Sequence, residues 1–404
     1  MKNIDLSSNK ITYLDTACMG LIDPEVAEEA KQVIASLQNI HIPPTDFTVH
    51  LYSYFARARA EAARLLNVTP EEIALVESTS HGLGLIAGSL PLEKEDNILI
   101  CDLEFFATTL CWQARREKIP FEIRAVATKD GRVDVSDFAA RIDENTKAIV
   151  ISAVQEINGF RVELQEFSRL AREHGCLLIV DGIQEAGALA VDLGETEVDV
   201  YCAGGHKWLR NPFGMGFLYV NRNLLPLLKP DFYSYFNALE PEGGWGEYLE
   251  SPLRTPFDRL ELAETARKFE TGGTGNYLGA LTLCHSLKKL EETGIKAVEK
   301  KVRELGDVLA TGLEELGIRL VSPREPRHRS GITSFTLPGG LEEERKLNAR
   351  LTQEGVFVSL RYTSGVGGIR VSPHCYNSRE DIDRLLEITA DLLNKNKLLL
   401  LRGR

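Results

Sequence analysis

The chain has 404 residues, 43% of them hydrophobic and 26% charged, with a formal net charge of −12. That length exceeds what one compact core usually carries, so two domains are expected, and the acidic balance argues against a nucleic-acid footprint. No apolar run approaches membrane-spanning length, LLLL at Leu398–Leu401 being far too short, and MKNIDLSSNKITYLD has no apolar core of signal-peptide length. ITYLDTACMGLIDPEV opens with an apolar run and a turn, after which Asp23-Pro24 caps and starts a helix through about Leu37. HIPP at His41–Pro44 breaks the pattern, and a long Ala/Arg-rich helix follows from about Tyr52 to Leu66.

In Glu72–Leu90 a strand runs into Ser78, Thr79 and Ser80, then into a helix carrying Gly82 and Gly84. Hydroxyls and free backbone N–H groups at a helix N-terminus make an anion site, so a phosphate fits there. The same stretch has a competing reading. Gly82-x-Gly84-x-x-x-Gly88 after a strand, with Asp102 ending the next strand, is a weak variant of the nucleotide-binding pattern of an NAD(P)-dependent oxidoreductase. Asn97–Gln113 then reads as a buried strand, a turn and a helix start, and Ala148–Phe167 as another strand and helix.

The middle of the chain, Leu177–Val220, holds three short apolar runs (LLIVD, VDVYCA, GFLYV) separated by Gly-rich turns. Asp181 closes the first run, Gln184 follows it, and His206 and Lys207 come just after the second. In open α/β sheets ligands sit at the carboxyl ends of strands, so an acid and a lysine delivered there face one site. Singly, Asp181 reads as a helix cap and Lys207 as a solvated lysine. Jointly they match the needs of pyridoxal 5'-phosphate, whose lysine forms a Schiff base while an acid keeps the pyridine nitrogen protonated.

Asn221–Arg259, rich in Pro, Gly and aromatic residues, reads as a long irregular excursion over the active site. Arg267–Leu283 contains a Gly272–Gly275 turn before a helix. An amphipathic helix from Ser286 to about Leu316, broken near Gly294, leads to a smaller C-terminal domain. There strands are expected at 332–337, 356–360 and 368–371, and helices at about 341–353 and 379–394, the last with a core-facing stripe of Ile382, Leu385, Leu386, Ile388 and Leu392. Arg361 and Arg370 in this domain are candidate forks for a carboxylate. The RxxRHR cluster at Arg324–Arg329 reads as a solvated loop.

From Tyr13 to Asn377 these motifs resemble the aminotransferase class V family, most of all its isopenicillin N epimerase-like branch, with cysteine desulfurases as further members. The carriers are YLD-x-A at Tyr13–Ala17, VDG-x-Q at Val180–Gln184, the G-HK of Gly205–Lys207, Gly214-x-Gly216, and GIRVSPHCYN at Gly368–Asn377, which matches an R-x-S-x-x-x-YN signature. The resemblance implies a fold type I α/β architecture: a large cofactor domain (23–285) with a mostly parallel seven-stranded sheet between helices, a smaller α/β domain (286–404), and an N-terminal segment (1–22) packing by the active site. It gives Lys207 the cofactor aldehyde, Asp181 the ring nitrogen, Gln184 the phenolic oxygen, His206 the phosphate, and Thr79 and Ser80 the family's paired phosphate-loop positions. Phe105 falls where desulfurases place a ring-stacking histidine; it can stack but cannot shuttle protons. Glu156 falls near a usual asparagine that bonds the phenolic oxygen, where a carboxylate would repel, and no role is assigned to it. RKFETGGTGN resembles the segment whose threonine, here Thr274, reaches the phosphate of a neighbouring subunit, which implies a homodimer. Arg370, with Arg361, would clamp the α-carboxylate of an amino-acid substrate.

Such a site serves transamination, epimerisation and β-elimination alike. Desulfurases of this kind use a mobile loop cysteine near the carboxylate arginine, whereas YTSGVGGI between Arg361 and Arg370 has none, and Cys375 lies inside the signature turn. The expected activity is therefore that of an aminotransferase or epimerase-like enzyme, with a C–S lyase as the alternative. A nicotinamide-dependent oxidoreductase, or a catalytically silent binding protein on the same fold, stand further off. The seven cysteines show no CxxC and no metal-ligand spacing, so reduced thiols in a cytoplasm are expected, with neither disulfides nor a metal.

Overall fold

Apolar runs too short for helices become strands buried on both faces. After a two-residue strand β1 (Thr12–Tyr13), the computed structural model, which describes residues 11–402 apart from 40, 42, 271 and 274, forms a seven-stranded sheet. Its strands are β2 (Ile73–Val76), β3 (Asn97–Cys101), β4 (Glu122–Val126), β5 (Thr146–Ser152), β6 (Leu177–Asp181), β7 (Val200–Gly204) and β8 (Gly216–Val220). They lie in the order β2-β8-β7-β6-β5-β3-β4, with β8 antiparallel to its two neighbours and the remaining pairs parallel. The sheet is the mostly parallel one that the resemblance implies.

Side chains of successive strand residues point to opposite faces. Leu99, Ile149, Ile151, Leu178, Val180, Tyr201 and Ala203 accordingly join one apolar cluster, while Ile98, Ile100, Val150, Ile179, Val200 and Cys202 join another on the reverse side. Helices cover both faces, as a parallel sheet requires. β4 was not foreseen: EIRAV is half polar and forms the sheet edge, where one side faces water.

The helix expected from about Tyr52 starts at Pro44 and runs to Leu66. Proline suits the first helical position because that N–H has no intrahelical partner, so Pro43-Pro44 begins the helix instead of breaking it. The break near Gly294 is present: helices Tyr277–Thr293 and Ile295–Glu315 meet there, with Gly294 at φ +81°.

A second, antiparallel sheet has the order β12-β13-β10-β9, from β9 (Arg319–Leu320), β10 (Thr333–Thr336), β12 (Ser359–Thr363) and β13 (Val366–Val371). The strand expected at 356–360 divides, because β11 (Val356–Phe357) leaves this sheet to pair in parallel with β1. The N-terminal strand thus attaches to the C-terminal part of the chain, and Leu14 joins its apolar cluster with Leu305, Phe335, Ile382 and Leu385. Leu386, Ile388 and Leu392 pack against that cluster, and their helix spans Arg379–Arg402, continuing past Asn394 because no breaker precedes Gly403. The arginines of RxxRHR pair with acids of the same chain: Arg324 with Glu314, Arg327 with Glu163, and Arg329 with Asp307.

The 221–259 excursion departs from expectation. Its described residues line no part of this chain's cavity described below; instead the Tyr235 hydroxyl meets that of Tyr52 at 3.0 Å, and buried Asn237 donates to the Glu270 carbonyl at 2.9 Å. Among the described residues no helix is long and apolar enough to cross a membrane.

Ile149, wholly buried in β5, tests the core. Ile149→Ala is expected to lower unfolding free energy by about 2–5 kcal/mol, read from urea denaturation followed by circular dichroism.

Candidate active site

Five strands of the large sheet end on one cavity. Beyond β2, the Ser78 side chain caps the helix Thr79–Ser89 by accepting from the His81 N–H at 3.2 Å, and Thr79 Oγ1 accepts from the Gly204 N–H at 2.8 Å. That second bond fastens the helix N-terminus to the end of β7. β3 leads to Glu104 and Phe105, β5 to Ser152 and Glu156, β6 to Asp181 and Gln184, and β7 to His206 and Lys207. The small sheet contributes Arg361 and Arg370, and the N-terminal segment Ala17 and Cys18. The cavity so enclosed has a volume of about 280 Å³.

Nine of the ten residues singled out from the sequence therefore line one space: Thr79, Ser80, Phe105, Asp181, Gln184, His206, Lys207, Arg361 and Arg370. Thr274 lies outside the described residues. No role for Thr108, Glu104, Asp15 or Cys18 was read from the sequence, although Asp15 belongs to the YLD-x-A motif. The first three act through contacts across the fold that spacing along the chain does not encode, and Cys18 sits beside a motif residue without belonging to the motif.

Asp181 is held in place by two donors, the Ile183 N–H at 3.0 Å and the Thr108 hydroxyl at 3.0 Å. Burial pushes its carboxyl up, opposed by those donors and by the charge on Lys207. Burial likewise pulls the Lys207 ammonium down, and Arg370 adds to this, while Asp181 and Glu156 oppose it. A lysine that loses its proton readily is a nucleophilic amine suited to a carbonyl. His206 is pulled down to about 4 by burial and by Lys207, so its ring is neutral near neutral pH; it stacks on Phe213 at 5.0 Å. Lys207 Nζ stands 5.8 Å from the centre of the Phe105 ring, which is 39% exposed. Gln184 donates to the Ala17 carbonyl at 3.0 Å and accepts from Trp208 Nε1 at 2.7 Å, which leaves one amide N–H for the cavity.

The turn carrying Lys207 is clamped from the N-terminal side. The Gly20 N–H donates to the His206 carbonyl at 2.9 Å, and a Cβ on Gly20 would lie 1.9 Å from the Lys207 carbonyl oxygen. Gly82 has a packing role of the same kind: its Cβ would meet Cys202 Sγ at 2.4 Å, so this glycine lets the helix approach β7. Cys375 does not line the cavity; it is half-buried with Sγ 3.0 Å from His374 Nδ1, and burial pushes its thiol up. A larger open groove of about 790 Å³ lies by Thr69, Arg222 and Lys268, but the Lys268 ammonium is already spent on backbone carbonyls, that of Leu228 at 2.9 Å among them.

The aminotransferase class-V model matches residues 12–385. The chain belongs to this family. It is 26% identical to a probable cysteine desulfurase of Pyrococcus abyssi over 97% of this chain and 96% of the relative. Isopenicillin N epimerase of Streptomyces clavuligerus is 28% identical, with 85% of this chain and 86% of the relative covered. Among solved structures, a C-DES variant with glycine covalently linked to its PLP cofactor superposes with a TM-score of 0.84 at 22% identity, covering 95% and 97% of the two chains. The cavity here fits pyridoxal 5'-phosphate. A helix N-terminus with Thr79 and Ser80, a buried acid, a readily deprotonated lysine and the unpartnered Nε of buried Arg370 all converge on it.

Glu104 supplies a pH test. Burial raises its carboxyl from 4.5 to about 7, against donors from Gln155 and Ser152. As pH rises from about 4.5 to about 7 the unfolded chain loses this proton first, so the folded state is progressively penalised; above about 7 the penalty is constant. Glu104→Gln is therefore expected to gain stability relative to the wild type between about pH 5 and about pH 8, read as the change in the difference of urea midpoints.

Proposed function

We propose that the chain is a pyridoxal-phosphate-dependent enzyme acting at Cα of an α-amino acid, as an aminotransferase or epimerase-like enzyme. The observation that carries this reading is the convergence of half-buried Lys207 with buried Asp181 and Arg370 on one cavity. When bound, the cofactor supplies an aldehyde and a ring that draws electrons away from Cα. Lys207, its amine favoured by burial, would hold the cofactor's aldehyde and is placed to move a proton at Cα. Asp181, fixed by Thr108 and Ile183, would partner the ring nitrogen. Thr79, Ser80, His206 and the helix N-terminus take the phosphate, Phe105 stacks on the ring, and the free Gln184 N–H serves the phenolic oxygen. Arg370, with Arg361 at the same wall, takes the substrate carboxylate.

A second reading, cleavage of a C–S bond, is favoured by one observation: the exposed thiol of Cys18 lines the same cavity. The relatives named as cysteine desulfurases agree with it.

Borohydride treatment followed by peptide mass spectrometry is expected to leave the cofactor fixed on Lys207 and to fix none in Lys207→Arg. A protein that takes up no pyridoxal phosphate overturns the reading. A panel of amino acids then sorts the chemistry: keto acid for transamination, racemate for epimerisation, and sulfide for C–S cleavage. Sulfide release lost in Cys18→Ser would favour the second reading.

The active unit we propose is a homodimer in which Thr274 serves the partner's phosphate. Leu253 is 87% and Phe257 92% exposed on the 221–259 excursion, apolar surface of the kind that a second subunit covers. In light scattering after size exclusion the wild type is expected at twice the chain mass. Leu253→Glu with Phe257→Glu is expected to shift it toward the monomer and to weaken cofactor retention about tenfold or more.

A further inference from the structure

The amide of Gln184 is 2% exposed and is held from behind by two groups of fixed character. The Ala17 carbonyl can only accept, and takes a proton of Nε2 at 3.0 Å; the Trp208 indole can only donate, and gives Nε1–H to Oε1 at 2.7 Å. Turning the amide over would set carbonyl against carbonyl and N–H against N–H, leaving both buried contacts unmatched. Gln184 therefore offers the cavity a donor and no acceptor.

Trp208 is itself immobilised. It is 1% exposed, and its carbonyl accepts from His374 Nε2 at 2.9 Å. The tautomer follows from the contacts: His374 Nδ1 accepts from the Cys375 N–H at 2.6 Å, and a carbonyl has no proton to give, so the ring proton sits on Nε2. Burial pulls this imidazole down to about 4, which keeps it neutral. The His374 ring stacks on Tyr376 at 5.3 Å and meets the indole at 5.6 Å. At the benzo edge of the indole, a Cβ on Gly331 would lie 2.6 Å from the ring, so a glycine there lets the segment before β10 close on it. A line of contacts thus runs from the signature turn after β13, through Trp208, to a donor in the cavity wall.

We propose that Trp208 is a positioning residue: held by His374, its indole N–H fixes Gln184 with a donor toward the cavity, and so favours the negatively charged form of the bound cofactor's phenolic oxygen. The proposal rests on the reading of Gln184 as the partner of that oxygen. Trp208 does not line the cavity and acts through Gln184. A donor favours the charged form of the oxygen it meets, so losing the donor moves the titration of the bound cofactor to higher pH.

The test titrates the holoenzyme through its visible absorption. Trp208→Phe is expected to raise the midpoint by about one pH unit, a tenfold change in proton affinity. Gln184→Met is expected to raise it by as much, and Trp208→Phe should add nothing in the Gln184→Met background. Both variants leave every charged side chain of the cavity in place. A wild-type midpoint in Trp208→Phe, with a raised one in Gln184→Met, overturns the proposal and leaves Gln184 its role. Equal shifts from Trp208→Phe in both backgrounds overturn it as well, because the indole then acts by another route. No shift in Gln184→Met removes the reading of Gln184 and the proposal with it. If Trp208→Phe does not fold, tryptophan is replaced biosynthetically by its benzothiophene analogue, which keeps the ring's shape and lacks the N–H. Trp112 Nε1 has no hydrogen-bond partner, and neither Trp112 nor Trp245 lines the cavity, so the replacement acts there through Trp208. The same raised midpoint is expected, and an unchanged one overturns the proposal.

Discussion

Burying a lysine and an arginine in one cavity is costly unless opposite charges are buried with them. Breaking a buried ion pair by removing one partner typically destabilises by about 3–5 kcal/mol, since an uncompensated charge is left behind. Arg370 weakens the hold of Lys207 on its proton and Asp181 and Glu156 oppose this, while Glu156 and Asp15 pair with Arg370, so the acids come from three different parts of the chain. Much of the surrounding architecture serves to deliver those acids: β6 brings Asp181, the turn after β5 brings Glu156, and the N-terminal segment brings Asp15. The two cations then meet different fates. Burial leaves Lys207 ready to give up its proton, whereas a guanidinium keeps its charge under almost any conditions. One site thereby holds both a readily deprotonated amine and a permanent cation.

The parallel sheet is what makes this convergence possible. Strands running the same way put their carboxyl ends on one edge, so residues far apart in sequence gather without long excursions. The antiparallel β8 sits between β2 and β7 and contributes no lining residue, yet it sets the distance between the Thr79 helix and the lysine turn. The hydrogen bond from the Gly204 N–H to Thr79 Oγ1 then locks those two elements together directly.

Much of this was legible in the sequence, for identifiable reasons. Buried parallel strands are short apolar runs, and Asp181 closes one such run while Lys207 comes shortly after another, so their placement at strand ends could be read directly. Arg370 was legible through its signature. The acids that pair with it were not read as its partners: Asp15 belongs to the YLD-x-A motif and Glu156 was given no role, and only the folded chain brings them to β13. The 221–259 excursion misled because length and composition mark a loop as functional without saying which surface it covers. Pro43-Pro44 misled for a related reason, since the same residue starts helices and ends them, and position alone decides.

The attachment of the N-terminal strand has a mechanical consequence. β1 pairs with β11, Leu14 packs in the cluster of the small sheet, and a few residues later the Gly20 N–H grips the His206 carbonyl beside Lys207. Residues 12–20 therefore act as a short tether with one end on the C-terminal part and the other on the lysine turn. A tether of that length carries little slack. A displacement of the small sheet would therefore be passed on to the turn that carries Lys207.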